Sequence, residues 1–292
     1  VANAEYAVIN DALAGRLPGA IVSQRNGEPG FEGTSILVRG KGTLGNNAPL
    51  IVIDGIQGRD LNTINVNDVE SISVLKDASA AIYGARAANG VILVTTKKGR
   101  SGAPVISYDF YQGWLTPTSL PKMADAATYA QMIREMQTYD GVDEANMLYS
   151  LEDIEKYASG KFPWTHPNTN WLEEVLKKYS QNRNHNLTIN GGGESVNYYL
   201  SFGTQWADAI FKNSPHRYNR YNVKGNLDIK VNKYLTINYD INAIQENKIT
   251  AGGYALDEDR TDERLIFNVA NQARPNDFNY FPNGFPSTGS FG

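Results

Sequence analysis

YNVKGNLDIKVN, Tyr221 to Asn232, alternates without a break. Tyr221, Val223, Gly225, Leu227, Ile229 and Val231 are apolar or small; Asn222, Lys224, Asn226, Asp228, Lys230 and Asn232 are all polar. A period of two is the signature of a β-strand with unlike faces. The length suits a tilted strand crossing a bilayer, which takes about 10 residues. A water-soluble antiparallel sheet with one wet face alternates in the same way. The stretch therefore fixes a strand and leaves its surroundings open.

The neighbouring segments repeat the pattern. In YLTINYDINA, Leu235, Ile237, Tyr239, Ile241 and Ala243 oppose Thr236, Asn238, Asp240 and Asn242. VNYYLSFGTQW sets Val196, Tyr198, Leu200, Phe202 and Trp206 against Asn197, Tyr199, Ser201 and Gln205. HNLTIN (His185 to Asn190) and VISYDFY (Val105 to Tyr111) are shorter versions. GGGES (Gly191 to Ser195) and VNKY (Val231 to Tyr234) read as tight turns. Tyrosine and tryptophan gather near the strand ends, as in an interfacial girdle. Five such strands fall short of the smallest membrane barrels, which have about eight, and open sheet edges do not persist in lipid. On the barrel reading this chain is part of a larger protein.

Residues 123–178 interrupt the strands with helical pieces: ADAATYAQMIREMQ, SLEDIEKYA and NWLEEVLKK. The tail from Ile249 to Gly292 is rich in Gly, Pro, Asn and Asp and reads as a long loop. Residues 1–103 follow another grammar. A helix is expected over Ala4–Ala20. Short apolar strands follow at Ser35–Arg39, Leu50–Asp54, Val69–Leu75 and Val91–Lys97. Between the last two lies an alanine-rich helix from Ala78 to about Ala85, with Asp77 as its N-cap. GRSGAP (Gly99 to Pro104) reads as a linker, which puts the domain boundary at 103/104.

Composition narrows the function. The chain has 292 residues and a net charge of −4, which argues against a nucleic-acid binder held by phosphate contacts. Cysteine is absent, which removes disulfides and thiolate metal sites. GKGTLG (Gly40 to Gly45) fits a dinucleotide fingerprint, but a strand follows where a helix is required. His166, His185 and His216 are scattered, without zinc-site spacing. The acidic LDEDRTDER (Leu256 to Arg264) lacks the glycine of a calcium loop. No nucleophile elbow is present. These features give no catalytic residue, metal or cofactor, so no enzyme is expected. Arg39, Asp54, Glu70 and Arg86, set among small apolar residues, need partners. They are expected to form either a structural ion-pair network or a polar lock onto a surrounding body.

The series ILVRG (Ile36 to Gly40), PLIVIDG (Pro49 to Gly55) and NDVESISVLKDASAAIYGARAANGVILVTTKKG (Asn67 to Gly99) resembles the plug domain of TonB-dependent outer-membrane transporters, and in particular the SusC/RagA group of Bacteroidetes. NWLEEVLKKYSQNRNHNLTINGGGESVNYYLSFGTQ and RYNRYNVKGNLDIKVNKYLTINYDIN resemble that group's first barrel strands. The resemblance implies an α+β plug domain followed by the first antiparallel strands of a transmembrane β-barrel, about five of roughly 22. It places the chain in the outer membrane, with Asn222 to Asn232 facing plug or lumen and Tyr221 to Val231 facing lipid. It implies active import of oligosaccharides or peptides, with a SusD-like lipoprotein and TonB as partners and no nucleic acid. No TonB contact is assignable to a residue. Plug loops in such proteins face outward, which nominates Arg25, Asn26, Glu28, Arg59, Asp60 and Asn62 as substrate contacts. Arg39, Asp54, Glu70 and Arg86 become the expected plug–barrel lock. The rival reading is a soluble or surface-exposed β-rich glycan-binding protein without transport.

Overall fold

The computed structural model describes residues 13, 15, 17, 19–23, 35–38, 40–42, 44–76, 78–215, 217–249 and 262–283. They fall into two units: those within 1–115, 181–209 and 216–249, and those within 116–180, 210–215 and 250–292. The helix expected over Ala4–Ala20 lies almost wholly outside the described residues, as does the Asp77 cap.

The first unit opens with β1 (Ile21–Ser23) and β2 (Ser35–Leu37), an antiparallel pair. Next come β3 (Leu50–Ile53), β4 (Ile56–Gln57), β5 (Val69–Leu75) and β6 (Val91–Thr96), in spatial order β4-β3-β6-β5. β3 runs parallel to β6, and β5 runs antiparallel to it. Asp54 and Gly55 join β3 to β4 with φ of 49° and 85°. This is the Asp-Gly hairpin turn, whose two central residues both need positive φ. Ile53, Ile92 and Val94 pack with Leu13, Leu61, Ile64 and Val66 on one face. Leu50, Val52 and Val91 pack with Ala80 and Ala87 on the other. The alanine-rich segment is not an α-helix. It forms 3-10 turns at Ala78–Tyr83 and Ala85–Ala87, broken at Gly84 with φ 74°. Alanine at 80 and 87 lets these turns lie close on the sheet.

GKGTLG leads into β3 and opens no helix; the Gly42 N–H donates to Asn47 Oδ1 at 2.9 Å. The strand after GRSGAP begins inside that segment, at Gly102. β7 (Gly102–Leu115), β8 (Ser180–Gly192), β9 (Val196–Asp208), β10 (Arg217–Lys230) and β11 (Thr236–Ile249) form one sheet, ordered β11-β10-β9-β8-β7. The register places Asn186 and Asn222 beside Gly203, and Lys224 beside Ser201.

The second unit holds α1 (Ala126–Tyr139), α2 (Leu151–Ser159), α3 (Trp171–Val175) and α4 (Asp262–Gln272). Asp125, Ser150 and Asn170 cap the first three. The helix α4 lies in the segment that composition marks as loop. Ile266, Val269, Ala270 and Ala273 recur at helical spacing there, and Ala270 and Ala273 are buried. Local periodicity outweighs the glycine, proline and asparagine that flank it. His166 pairs with Asp153 at 3.1 Å, and His185 with the Tyr108 hydroxyl at 2.7 Å.

Candidate functional site

The functional geometry lies where the N-terminal domain meets the polar face of β8 to β11. Two 3-10 turns, Leu61–Thr63 and Val66–Asp68, carry the domain's side of this seam. The Asp60 carboxylate accepts the Asn62 N–H, and the Asn65 side-chain oxygen accepts the Asn67 N–H, each capping its turn. Leu61, Ile64 and Val66 enter the core, while the Asn65 and Asp68 side chains, which flank the second turn, face the wall.

From one end of the seam to the other, each domain residue meets a wall residue. Arg220 Nη2 donates to the carbonyl oxygens of Asn62 at 2.6 Å and Ile64 at 3.3 Å. Asn242 Nδ2 donates to the Thr63 carbonyl at 2.7 Å. Asn65 Nδ2 donates to Asn186 Oδ1 at 3.0 Å. The Tyr199 hydroxyl donates to Asp68 Oδ1 at 2.9 Å. Lys224 Nζ donates to Thr96 Oγ1, which itself donates to Asp54 Oδ2 at 2.6 Å. At the far end the N–H groups of Gly99 and Arg100 donate to Asn226 Oδ1 and Asn190 Oδ1, both at 3.1 Å.

Two glycines permit this contact. A Cβ on Gly203 would lie 2.6 Å from the Asn65 and Asn222 side-chain nitrogens, so the wall is notched where Asn65 enters. A Cβ on Gly99 would lie 2.3 Å from the Tyr198 backbone nitrogen. The buried charges are spread along the seam. Arg220 has Glu246 at 3.7 Å, and Glu246 also accepts from the Tyr218 hydroxyl at 2.7 Å. Lys224 lies in the field of Asp54, Asp68 and Asp240. Burial pushes the Asp68 carboxyl above the usual carboxylate range, against the opposing pull of Ser201, Tyr199, Lys224 and Lys97.

The expected site residues divide. Arg25, Asn26, Glu28 and Arg39 lie outside the described residues. Arg59 and Asp60 are exposed, Asp60 serves as a cap, and Asn62 gives its carbonyl to Arg220. Asp54 stands behind Thr96 and reaches the wall through it. Glu70 occupies a bulge in β5 and pairs with Arg100 at 2.6 Å, both side chains being exposed. Arg86 donates to Gln57 within the domain. Asn65, Asp68, Arg220 and Lys224 join the seam from outside the expected set. Asn65 and Asp68, polar residues three apart that flank apolar Val66, are the legible signal for the domain's side. The basic residues on the polar face of β10 were the signal for the wall's side.

The other face of the sheet is decisive. Leu200, Phe202, Tyr221, Val223, Ile237, Tyr239 and Ile241 are exposed, whereas Asn186, Arg220, Asn222, Lys224 and Asn226 are buried. A water-soluble sheet buries its apolar face; this sheet turns it outward, as a membrane barrel does. Residues 2–91 match the family model for the TonB-dependent Receptor Plug Domain. The chain belongs to the TonB-dependent receptors. It is 35% identical over 258 residues to TonB-dependent receptor P26 of Formosa agariphila, covering 85% of this chain and 24% of that protein. It is 34% identical over 219 residues to TonB-dependent receptor SusC of Bacteroides thetaiotaomicron, covering 71% of this chain and 20% of that protein. The solved RagAB peptide transporter superposes with a TM-score of 0.70 at 28% identity, over 84% of this chain and 30% of that one. The chain thus spans about a quarter of the length of the curated relatives it matches.

This receptor is SusC/RagA-like and belongs to a non-enzymatic family of outer-membrane β-barrel proteins. Its plug domain packs against β8 to β11 of the five-stranded wall. The tight turns follow β8 and β10, at one end of the sheet, while β7, β9 and β11 all run out at the other. In outer-membrane barrels the short turns are periplasmic and the long loops extracellular. Arg220 and the Asn62–Ile64 carbonyls lie toward the extracellular end, Gly99 to Ser101 toward the periplasmic end.

Proposed function

We propose that this receptor drives active import of oligosaccharides or peptides across the outer membrane, with the plug gating the barrel lumen. A SusD-like lipoprotein delivers substrate from outside, and TonB pulls on the plug from the periplasm. The observation that carries this reading is the character of the seam. The plug is held to the wall chiefly by hydrogen bonds from buried polar side chains. Such a bond contributes only about 0.5–1.5 kcal/mol net, because water replaces it when it breaks. An interface of this kind closes the lumen and still separates under a pull.

Peptide as a substrate class rests on the likeness to the RagAB peptide transporter, and the paired name RagAB favours a partner protein. On the substrate side we assign Arg25, Asn26, Glu28, Arg59, Asp60 and Asn62. The nearness of the Asp60–Asn62 turn to the extracellular end of the wall supports that assignment. Asp54, acting through Thr96 on Lys224, belongs to the lock. The test is a mild-detergent pull-down of the receptor from native outer membranes, followed by mass spectrometry. A much longer barrel with a tightly bound lipoprotein is the expected result. Recovery in the soluble fraction without a lipoprotein would remove the import reading.

A further inference from the structure

We propose that the polar wall around Gly203 and Arg220 is a receiving site for peptide main chain, filled by the plug's own Asn62–Asn65 turn when the plug is seated and by a passing peptide once the plug is displaced. The inference rests on the gated-import reading and chooses between its two substrate classes.

The seated plug already presents main chain to this wall. The carbonyl oxygens of Asn62, Thr63 and Ile64 accept from Arg220 and Asn242, side chains of β10 and β11. These bonds use none of the three plug side chains. The wall here reads carbonyl oxygens, which every peptide carries.

Beside these donors the wall holds more than the plug uses. Asn186 Nδ2, Gln205 Nε2 and Asn222 Nδ2 are buried and, among the described residues, have no acceptor. The neighbouring bonds fix the sense of the Asn186 amide. The Asn65 side-chain oxygen takes the Asn67 N–H, so Asn65 Nδ2 donates to Asn186 Oδ1 and the Asn186 nitrogen is left over. Buried donors normally find a partner. The register gathers these three. Asn186 and Asn222 stand on either side of Gly203, and Gln205 lies two residues along the same face, opposite Arg220. Gly203 has no side chain, which lets another backbone come close to the wall. A carbonyl oxygen only accepts, and spare amide donors suit it. A sugar hydroxyl donates as well, and these nitrogens offer it no acceptor.

The test is urea-driven release of the plug from the full-length receptor, a readout that needs no transport and stands even where import fails. A ligand that binds the vacated wall lowers the release midpoint as its concentration rises. An end-capped Gly-Ser heptapeptide should lower it, and maltoheptaose should not. Without ligand, Gln205→Met and Asn222→Leu should hold the plug at least as well as the unaltered receptor, whereas Asn242→Ala, which loses the Thr63 bond, should hold it less. Gln205→Met and Asn222→Leu together should abolish the peptide's shift. The site is overturned if the peptide leaves the midpoint unmoved, if maltoheptaose shifts it as much, or if the shift survives in the double variant. Weaker retention in Gln205→Met or Asn222→Leu without ligand would make these amides part of the plug's own hold and would overturn it too.

Discussion

The Tyr199 hydroxyl donates to the Asp68 carboxylate at 2.9 Å, and both side chains are buried between plug and wall. Tyr199→Phe keeps the ring and removes the donor, leaving a buried carboxylate short of a partner. Such a loss costs about 1–3 kcal/mol. The urea concentration that releases the plug from the full receptor should fall accordingly, while Tyr198→Phe should leave it unchanged.

The same carboxylate sets a pH dependence. Asp68 holds its proton more tightly when seated than when released into water, where its value is near 3.8. The seated state therefore binds more protons than the released state between pH 3.8 and the raised value of the seated carboxyl. Its stability falls as pH rises through that window and recovers on acidification. Release midpoints measured across the range should show this slope, and Asp68→Asn should flatten it.

Lys224 faces Thr96 and lies in the field of three carboxylates. Lys224→Met leaves Asp54 and Asp68 without that charge inside the seam. Lys224 is a buried donor to the Thr96 hydroxyl, and losing such a bond costs about 1–3 kcal/mol, more where the group is charged, so plug retention should suffer at least as much as with Tyr199→Phe. Adding Asp68→Asn to Lys224→Met should recover part of the loss. Additive losses in the double variant would show that the two groups are not coupled.

Two glycines should respond unequally to alanine. At Gly203 the new methyl meets the tips of Asn65 and Asn222, which can swing away. At Gly99 it meets the Tyr198 backbone, which cannot. Overpacking of the second kind costs about 1–3 kcal/mol. Gly99→Ala should lower the release midpoint clearly and Gly203→Ala only slightly.

On the outer face, Leu200→Arg or Val223→Arg should destabilise the barrel in lipid by about 2–4 kcal/mol near the bilayer midplane. Refolding of the full receptor into vesicles measures this. An effect near zero would place these residues away from the hydrocarbon.

The sequence by itself determined the strands and their two faces. Period-two alternation in Tyr221–Asn232 depends only on backbone geometry, so it survives without knowledge of neighbours. Helical pieces at 123–178 were legible for the same reason, through caps such as Ser150 and through apolar spacing. The α4 helix escaped because flanking glycine, proline and asparagine masked a short periodic run. The alanine-rich segment was placed correctly but wound as 3-10 turns, since Gly84 and close packing on the sheet override helix propensity. Only the tertiary structure decided the seam. Arg220 and Asn242 bind main-chain carbonyls, which every residue possesses and no sequence marks. Asp68 and Tyr199 lie 131 positions apart and meet only when the sheet wraps the plug. Which face of that sheet is buried also waited for the fold, because alternation is the same whichever side meets water.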